Sequence, residues 1–217
     1  YHCDARKTPL DPESIDLIIT SPPYINVFNY HQEYREVMEL AGWDLLKIAK
    51  LEIGSNRKNR GNRFLTAIQY SIDMFMSLSE MKEVLKPDGK IIIVIGRESN
   101  IRNISLENYK ILSALAINGV GLKLDCRHER KFINRFGKKI YEDILVFSLS
   151  NLPKHCDVDF ARAVAVYLLK GALDRAEGLV KDDIELAITE AFKVLPSLTY
   201  DYRTMRSITY EFNATQR

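Results

Sequence analysis

The chain has 217 residues, of which 46% are hydrophobic and 28% are charged, and its formal net charge is +2. This composition is that of a soluble globular chain that can bury a core, and so small a net charge does not by itself indicate a nucleic-acid-binding protein. No apolar run approaches the ~20 residues that a membrane helix needs. The three cysteines and four histidines show no metal-ligand spacing, so no metal site is predicted, and the few cysteines favour a cytoplasmic location.

The amino-terminal part is predicted to contain two strand segments and a polar turn between them. Residues 1–6 have the pattern of a strand end that carries Asp4, and residues 10–14 form the turn. Residues 15–19 form an apolar run rich in β-branched residues, and the sequence Ser-Pro-Pro-Tyr follows at 21–24. Two consecutive prolines can continue neither a helix nor a ladder. The pattern predicts a buried strand that displays a hydroxyl, proline carbonyls and an aromatic ring at its carboxyl end, where open α/β sheets bind ligands.

A helix and a basic loop are predicted next. A helical pattern at residues 32–40 precedes the loop 54–63, in which four of ten residues are basic and none is acidic. Such a loop can donate to a phosphate backbone and reach base edges, and the alternative is a solvated, flexible loop. Its candidates for nucleic-acid contacts are Asn56, Arg57, Lys58, Arg60 and Arg63.

The strongest fold signal lies in the middle of the chain. Apolar residues at spacings of three and four predict a helix over residues 67–85, and the sequence Lys-Pro-Asp-Gly at 86–89 ends it. Residues 91–95 are apolar on both faces, which is typical of a central parallel strand covered by helices. Arg97 follows at the same carboxyl edge as the Ser-Pro-Pro-Tyr turn, where it either contacts a ligand or forms a structural ion pair.

The carboxyl-terminal part is predicted to contain a helix, a hairpin and two further helices. Ser105 is expected to cap a helix that runs to about residue 118. Strands at about 122–132 and 141–149 form an antiparallel hairpin, and its tip contains the basic residues Arg135, Lys138 and Lys139. Phosphate contacts by this tip and a plain solvated turn are both open. Helices from residue 157 and over 181–195 follow.

The Ser-Pro-Pro-Tyr sequence after an apolar strand resembles the catalytic motif of S-adenosylmethionine-dependent amino-methyltransferases, which methylate exocyclic amines of DNA bases. The serine form of the motif is associated mainly with N4-cytosine enzymes, and an aspartate form mainly with N6-adenine enzymes. The turn at 86–89 with the strand after it, and the sequence Tyr-Glu-Asp-Ile-Leu-Val-Phe at 141–147, resemble the fifth and seventh strands of the family. The resemblance covers residues 4–149. It implies an α/β fold: a partial Rossmann-like methyltransferase sheet, mostly parallel with an antiparallel closing hairpin, plus carboxyl-terminal helices.

The resemblance also implies a reaction and roles for individual residues. It predicts methyl transfer from S-adenosylmethionine to the N4 amine of a flipped cytosine in double-stranded DNA, in a restriction–modification system. The implied catalytic residues are Ser21, Pro22, Pro23 and Tyr24; those at the cofactor are Asp4 and Thr20; those at the DNA are the basic-loop candidates with Arg97, Arg135, Lys138 and Lys139. The alternatives are N6-adenine DNA or RNA base-amine methylation, and a non-catalytic DNA-binding subunit.

One part of the family pattern is missing from this sequence. No strand is followed by a Gly-x-Gly turn and a helix, although such a turn receives the methionine part of the cofactor in the family. We therefore expect the first strands and the Gly-rich motif to lie in an amino-terminal half or on a separate chain, and the isolated segment to be inactive. Residues 1–150 are predicted to be the catalytic part of a methyltransferase domain, and residues 151–217 a helical appendage.

Overall fold

A mixed four-stranded sheet forms the centre of the fold. The computed structural model describes residues 3–25, 29–54, 57–59, 61–150 and 157–199. Its strands are β1 (Ile15–Thr20), β2 (Leu85–Gly96), β3 (Glu98–Ile101), β4 (Ile104–Glu107), β5 (Leu122–Ile133) and β6 (Lys139–Leu149). The central sheet has the order β1-β2-β6-β5, in which β1 and β2 are parallel and the other two pairs are antiparallel. The α/β class and the antiparallel closing hairpin are confirmed, and within the described residues the parallel pairing is confined to β1 and β2.

The helices largely follow the predicted pattern. They are α1 (Tyr30–Glu33), α2 (Arg35–Leu40), α3 (Leu45–Leu51), α4 (Phe64–Val84), α5 (Asn108–Ala114), α6 (Val158–Ala172) and α7 (Gly178–Glu190). The single helix predicted at 32–40 is two short ones, because Tyr34 has φ −107° and ψ 21° and interrupts the helical geometry. The long helix predicted at 67–85 is α4, and the one predicted at 181–195 is α7. No helix in the described ranges is both long and apolar enough to cross a bilayer.

One hydrophobic core lies between the sheet and the long helices. Ile91, Ile93 and Ile95 of β2 are fully buried, as are Ile72 of α4 and Leu169 of α6. Burying each such side chain stabilises the fold by roughly 1.5–3 kcal/mol. Residues of α6 and α7 belong to the same cluster as those of the sheet, so the predicted helical appendage shares this core. The domain division at residue 150 stays a prediction.

The other face of the sheet is less well covered at β1. Leu17 is 50% exposed and Ile19 is 65% exposed, and Ile19 pairs with the half-buried Ile92 of β2. Successive side chains of a strand point to opposite faces, so these residues lie opposite the buried face that contains Ile91. The helical cover expected on both faces therefore does not extend over Leu17 and Ile19 in the described part of the chain.

A short hairpin occupies the place where the sequence predicted a helix start. Ser105 lies in β4, which pairs with β3, so the prediction that Ser105 caps a helix is wrong. The connecting residues Arg102 and Asn103 have φ values of 51° and 69°, the left-handed geometry of a tight two-residue hairpin turn. The helix begins at Asn108, whose side-chain amide donates to the Gly96 carbonyl at 2.9 Å. This bond holds α5 against the carboxyl end of β2.

Candidate active site and nucleic-acid interface

The Ser-Pro-Pro-Tyr turn leaves β1 at the carboxyl end of the parallel strand pair. Thr20 still pairs with Ile93 of β2, and the turn follows directly. Pro22 is buried, whereas Ser21 is exposed. The Ser21 Oγ lies 3.4 Å from the hydroxyl oxygen of Tyr24, within weak hydrogen-bond distance. The turn thus displays a serine hydroxyl next to a phenol at an accessible edge of the sheet.

Two glycines fix the position of Tyr24. A Cβ at Gly96 would lie 2.9 Å from Cε2 of the Tyr24 ring, and a Cβ at Gly54 would lie 2.6 Å from the Tyr24 carbonyl oxygen. Gly54 also has a φ of 85°, a conformation that glycine adopts without strain. Neither glycine belongs to a motif that identifies this role. It becomes visible only because the fold brings both residues to the turn.

The tyrosine side chains behind the turn are neutral. Tyr70 of α4 is completely buried, and this burial, reinforced by Tyr24, raises the pKa of its phenol far above the usual value. Its hydroxyl has no hydrogen-bond partner among the described residues. Burial also raises the pKa of Tyr30, with further contributions from Tyr34 and Tyr24. These phenols therefore do not act as proton acceptors near neutral pH.

A buried histidine–carboxylate contact holds the segment after the turn. The His31 Nδ1 lies 2.8 Å from Glu52 Oε2, and the His31 backbone N–H donates to Glu52 Oε1 at 2.6 Å. Both side chains are nearly buried. The contact fixes α1 against the end of α3. Residues 26–28 of the aromatic loop before α1 lie outside the described residues.

Arg97 belongs to a charged cluster next to the turn. Its guanidinium donates to Glu129, and its Nη2 lies 3.3 Å from Oδ1 of the fully buried Asp143. Arg127 donates to the same oxygen through Nε at 3.0 Å and stacks on the ring of Tyr109 at 3.8 Å. Hydrogen bonds with Glu129 and Asp143 raise the pKa of Arg97. Arg97 thus forms the ion pair that was one of its two alternatives, and a DNA contact by its remaining N–H groups stays a prediction.

This charged cluster retains room and unused hydrogen-bonding capacity. A cavity of about 470 Å³ is lined by Arg97, Arg127, Tyr109 and two glutamates. The Arg97 Nε and the Asp143 Oδ2 are buried without a hydrogen-bond partner among the described residues. Because buried polar atoms are normally paired, such atoms beside a cavity indicate a place where water or a ligand completes the bonding.

Buried asparagines anchor the basic loop. Asn59 donates to Gln69 Oε1 at 2.8 Å, and Asn62 donates to the Asp183 carbonyl at 2.6 Å. Asn62 also accepts the backbone N–H of Phe64 at 3.0 Å, which starts α4. These two asparagines are therefore structural and are not available to base edges.

The basic residues of the same loop are described only in part. Lys58 is exposed and lines a cavity of about 430 Å³ together with Lys50 and residues 195–198. Arg63 is half-buried. Asn56, Arg60 and the side chain of Arg57 lie outside the described residues. The DNA contacts proposed for all five positions stay predictions.

The two residues assigned to the cofactor lie apart from the catalytic turn or at its start. The Asp4 Oδ1 accepts the backbone N–H and the Nε of Arg6, both at 2.9 Å, and its Oδ2 accepts Nη2 of the same side chain at 2.7 Å. Asp4 is thus engaged with Arg6. Thr20 is half-buried and lines a cavity of about 410 Å³ beside β1. Cofactor contacts by Asp4 and Thr20 stay predictions.

The three basic residues of the hairpin tip are all exposed. Arg135, Lys138 and Lys139 lie at the far end of the β5–β6 ladder, whose last pair is Ile133 with Lys139. Such exposure permits phosphate contacts, which stay a prediction. The tip is a second potential interface, separate from the turn at the end of β1.

Comparisons with known proteins give distant similarities. The chain is 34% identical over 89 residues to the type II methyltransferase M.MjaII of Methanocaldococcus jannaschii, which covers 41% of this chain and 16% of that protein. The chain therefore spans far less than the length of this curated relative. Among solved structures it is similar to an S-adenosylmethionine-dependent methyltransferase from Methanosarcina mazei, with 12% identity, a TM-score of 0.37 and coverage of 68% of this chain and 66% of the other. It is also similar to PvuII DNA methyltransferase (cytosine-N4-specific), with 20% identity, a TM-score of 0.42 and coverage of 71% and 50%. No protein-family model matches the chain.

Proposed function

We propose that this chain carries the target-base part of an S-adenosylmethionine-dependent DNA methyltransferase. The observation that carries the proposal is the exposed Ser21 hydroxyl beside Tyr24, at the carboxyl end of a parallel strand pair. Open α/β sheets bind their ligands at this edge. The similarity to a type II methyltransferase supports the same class of reaction.

The groups of the turn suit the chemistry of an exocyclic amine. The lone pair of such an amine is delocalised into the base, so the amine is a poor nucleophile. Acceptors for both amine hydrogens favour a more tetrahedral nitrogen, whose lone pair can attack a methyl group. The Ser21 hydroxyl can accept one hydrogen while directing its own proton to the Tyr24 oxygen 3.4 Å away. The Pro22 carbonyl is the proposed acceptor for the second.

Tyr24 is the proposed stacking surface for the extruded base. A flipped base is held in its pocket by stacking and by hydrogen bonds to its edge. Because Gly96 and Gly54 fix the ring and the backbone of Tyr24, the stacking surface is set before the base arrives. We propose the N4 amine of cytosine as the target, in keeping with the serine of the motif. A cytoplasmic restriction–modification system is the proposed setting.

The described residues do not form a cofactor site on their own. Both oxygens of Asp4 accept hydrogen bonds from Arg6, so this carboxylate is already used within the fold. When bound, S-adenosylmethionine supplies an electrophilic methyl group. We propose that a Gly-rich segment, either in an amino-terminal half or on a separate chain, provides its binding site. The exposed Leu17 and Ile19 on the edge strand support this, because a further strand or helix there would bury them.

The proposal is tested by methyl transfer in the protein with its neighbouring segments present. Tritiated S-adenosylmethionine and DNA are incubated with the wild type, Ser21→Ala and Ser14→Ala, and the modified nucleosides are separated. Ser21→Ala is expected to reduce transfer by about 10²–10³-fold, as the loss of one transition-state hydrogen bond does. Ser14→Ala is the matched control, because the Ser14 hydroxyl only bonds the Asp11 carbonyl at the opposite end of β1.

The product identifies the target base. N4-methylcytosine is expected, and N6-methyladenine would replace the cytosine assignment with the adenine one. If DNA binds but no methyl transfer occurs in any form of the protein, the chain is a non-catalytic DNA-binding subunit.

A further inference from the structure

Strands β5 and β6 continue beyond the central sheet as a two-stranded arm. The last pair between β2 and β6 is Gly96 with Glu142, whereas β5 and β6 stay paired as far as Ile133 and Lys139. The arm, defined as residues 130–139, contains five basic residues and no acidic residue. All of its residues except Asn134 are exposed. It is therefore a strongly cationic ribbon on a chain whose total charge is close to zero.

The arm also exposes apolar side chains. Phe136 is 76% exposed, Ile133 is 69% exposed and Phe132 is 37% exposed. An aromatic ring left in solvent at the tip of a cationic ribbon gains free energy when a partner buries it. The arm thus offers charge and apolar area to the same partner.

A hydrogen-bonded turn holds Phe136 in its outward position. The Asn134 Oδ1 accepts the backbone N–H groups of Phe136 and Lys138, both at 3.0 Å. The Asn134 N–H donates to the Lys138 carbonyl at 2.9 Å, and Gly137 closes the turn with a φ of 74°. Such a turn fixes the ring before binding and lowers the entropy lost on association.

The arm starts close to Tyr24. Tyr24 rests on Gly96, Gly96 is paired with Glu142, and Glu142 is paired with Arg130, the first residue of the arm. Two strand spacings, roughly 10 Å, therefore separate the proposed base platform from the base of the arm. A nucleic acid bound at Tyr24 lies within reach of the arm.

We propose that the arm lies in a groove of duplex DNA and that Phe136 inserts between neighbouring base pairs next to the target base. This inference rests on the proposed function, in which DNA is the substrate, and adds a contact surface and a wedge residue. The major groove admits a two-stranded β-ribbon, and the five cations neutralise phosphates along it. Inserted apolar side chains unstack a base step and kink the duplex. Unstacking beside the target lowers the free energy needed to extrude it.

The test measures the preference for DNA that already contains an open step. Fluorescein-labelled duplexes of equal sequence, one fully paired and one with a single central gap, are titrated without cofactor and followed by fluorescence anisotropy. The wild type is expected to bind the gapped duplex about tenfold more tightly, because the gap removes the unstacking that a wedge must perform. Phe136→Ala is expected to lose this preference and Phe136→Trp to keep it. Phe192→Ala, which removes a phenylalanine that is 59% exposed elsewhere, is the matched control and keeps it.

The cationic part of the arm has a separate signature. Replacing Arg135, Lys138 and Lys139 by glutamine is expected to flatten the salt dependence of binding by about 0.9 per lost phosphate contact while the gap preference remains.

Several outcomes overturn the proposal. An equal gap preference in the wild type and Phe136→Ala does so, and so does a failure to bind either duplex. Binding to vesicles of mixed anionic and zwitterionic phospholipid that requires Phe136, without duplex binding, assigns the arm to a membrane surface instead. Absent methyl transfer with an intact, Phe136-dependent gap preference overturns the proposed function alone.

Discussion

Asp73 and Asp143 are both completely buried and both bind arginine, but only one of the two clusters is closed. The Asp73 Oδ1 accepts Arg6 Nη1 at 2.7 Å and the Ser197 N–H at 2.9 Å, and its Oδ2 accepts the Ser197 hydroxyl at 2.6 Å. Asp143 accepts from Arg97 and Arg127 through Oδ1, while its Oδ2 has no hydrogen-bond partner among the described residues.

The difference separates a structural use of ion pairs from one that leaves capacity for a ligand. Burial raises the pKa of Asp73, and the bonds from Ser197 and Arg6 oppose this shift, so the carboxylate depends on its partners. The closed cluster joins the start of the chain, α4 and the segment after α7. The open cluster lies beside Tyr24 and a cavity, and its arginines are 27% and 36% exposed. Closure therefore marks the scaffold, and incomplete bonding marks the edge where we propose that DNA binds.

The largest effect is expected from Asp73→Ala. The substitution leaves the Arg6 guanidinium, whose side chain is 1% exposed, in the interior without this partner. The free energy of unfolding should fall by about 3–5 kcal/mol, measured by urea denaturation. Asp16→Ala is the control, because Asp16 pairs with Lys86 in solvent and should change stability by at most about 0.5 kcal/mol. Equal losses in the two variants would contradict the structural role of the closed cluster.

Gly96→Ala tests how sharply the region of the open cluster depends on geometry. The added Cβ must displace the Tyr24 ring, so the free energy of unfolding should fall by about 1–3 kcal/mol and methyl transfer should fall with it. Gly171→Ala is the control, because nothing lies within 4 Å of a Cβ there. Urea denaturation and the tritium assay give both values. Unchanged transfer in Gly96→Ala would show that the position of Tyr24 does not matter for the reaction.

Asp143→Ala sharpens the comparison with Asp73→Ala directly. The arginines that it releases reach solvent, so the free energy of unfolding should fall by only about 1 kcal/mol. DNA binding is expected to change more clearly than stability, and anisotropy titration measures it. A loss as large as that of Asp73→Ala would remove the distinction between the clusters.

The smallest effect is expected at a surface pair that serves as a reference for both clusters. Hydrogen bonds from Lys90 and Ser148 lower the pKa of Asp125. Because the folded pKa lies below the ordinary value, this contribution to stability is present above the ordinary pKa and is lost as pH falls through the folded one. Lys90→Ala should raise the pKa of Asp125, as measured by NMR titration of its carboxyl carbon. No change would mean that the contact is not formed in solution.

Local patterns were sufficient for much of the fold. The apolar run before Ser21, the long helix ended by Pro87 and the hairpin of β5 and β6 were each predicted close to their observed bounds, because hydrophobic period and proline act over a few residues. The turn of β3 and β4 was missed because Ser105 fits a helix cap equally well, and only the paired strands favour the hairpin. The continuous helix predicted at 32–40 failed at Tyr34 for a similar reason, since nothing in the periodic pattern marks the break.

The sequence by itself determined which residues form the turn at the end of β1 and that an α/β chain surrounds it, since strand, proline and helix signals are local. Only the tertiary structure decided that Gly54 and Gly96 fix Tyr24, that Arg6 uses Asp4 and that Asn59 and Asn62 anchor the basic loop. These contacts join residues that the fold, and not the order of the chain, brings together. Their energies come from burial and close approach, and no short stretch of sequence contains either.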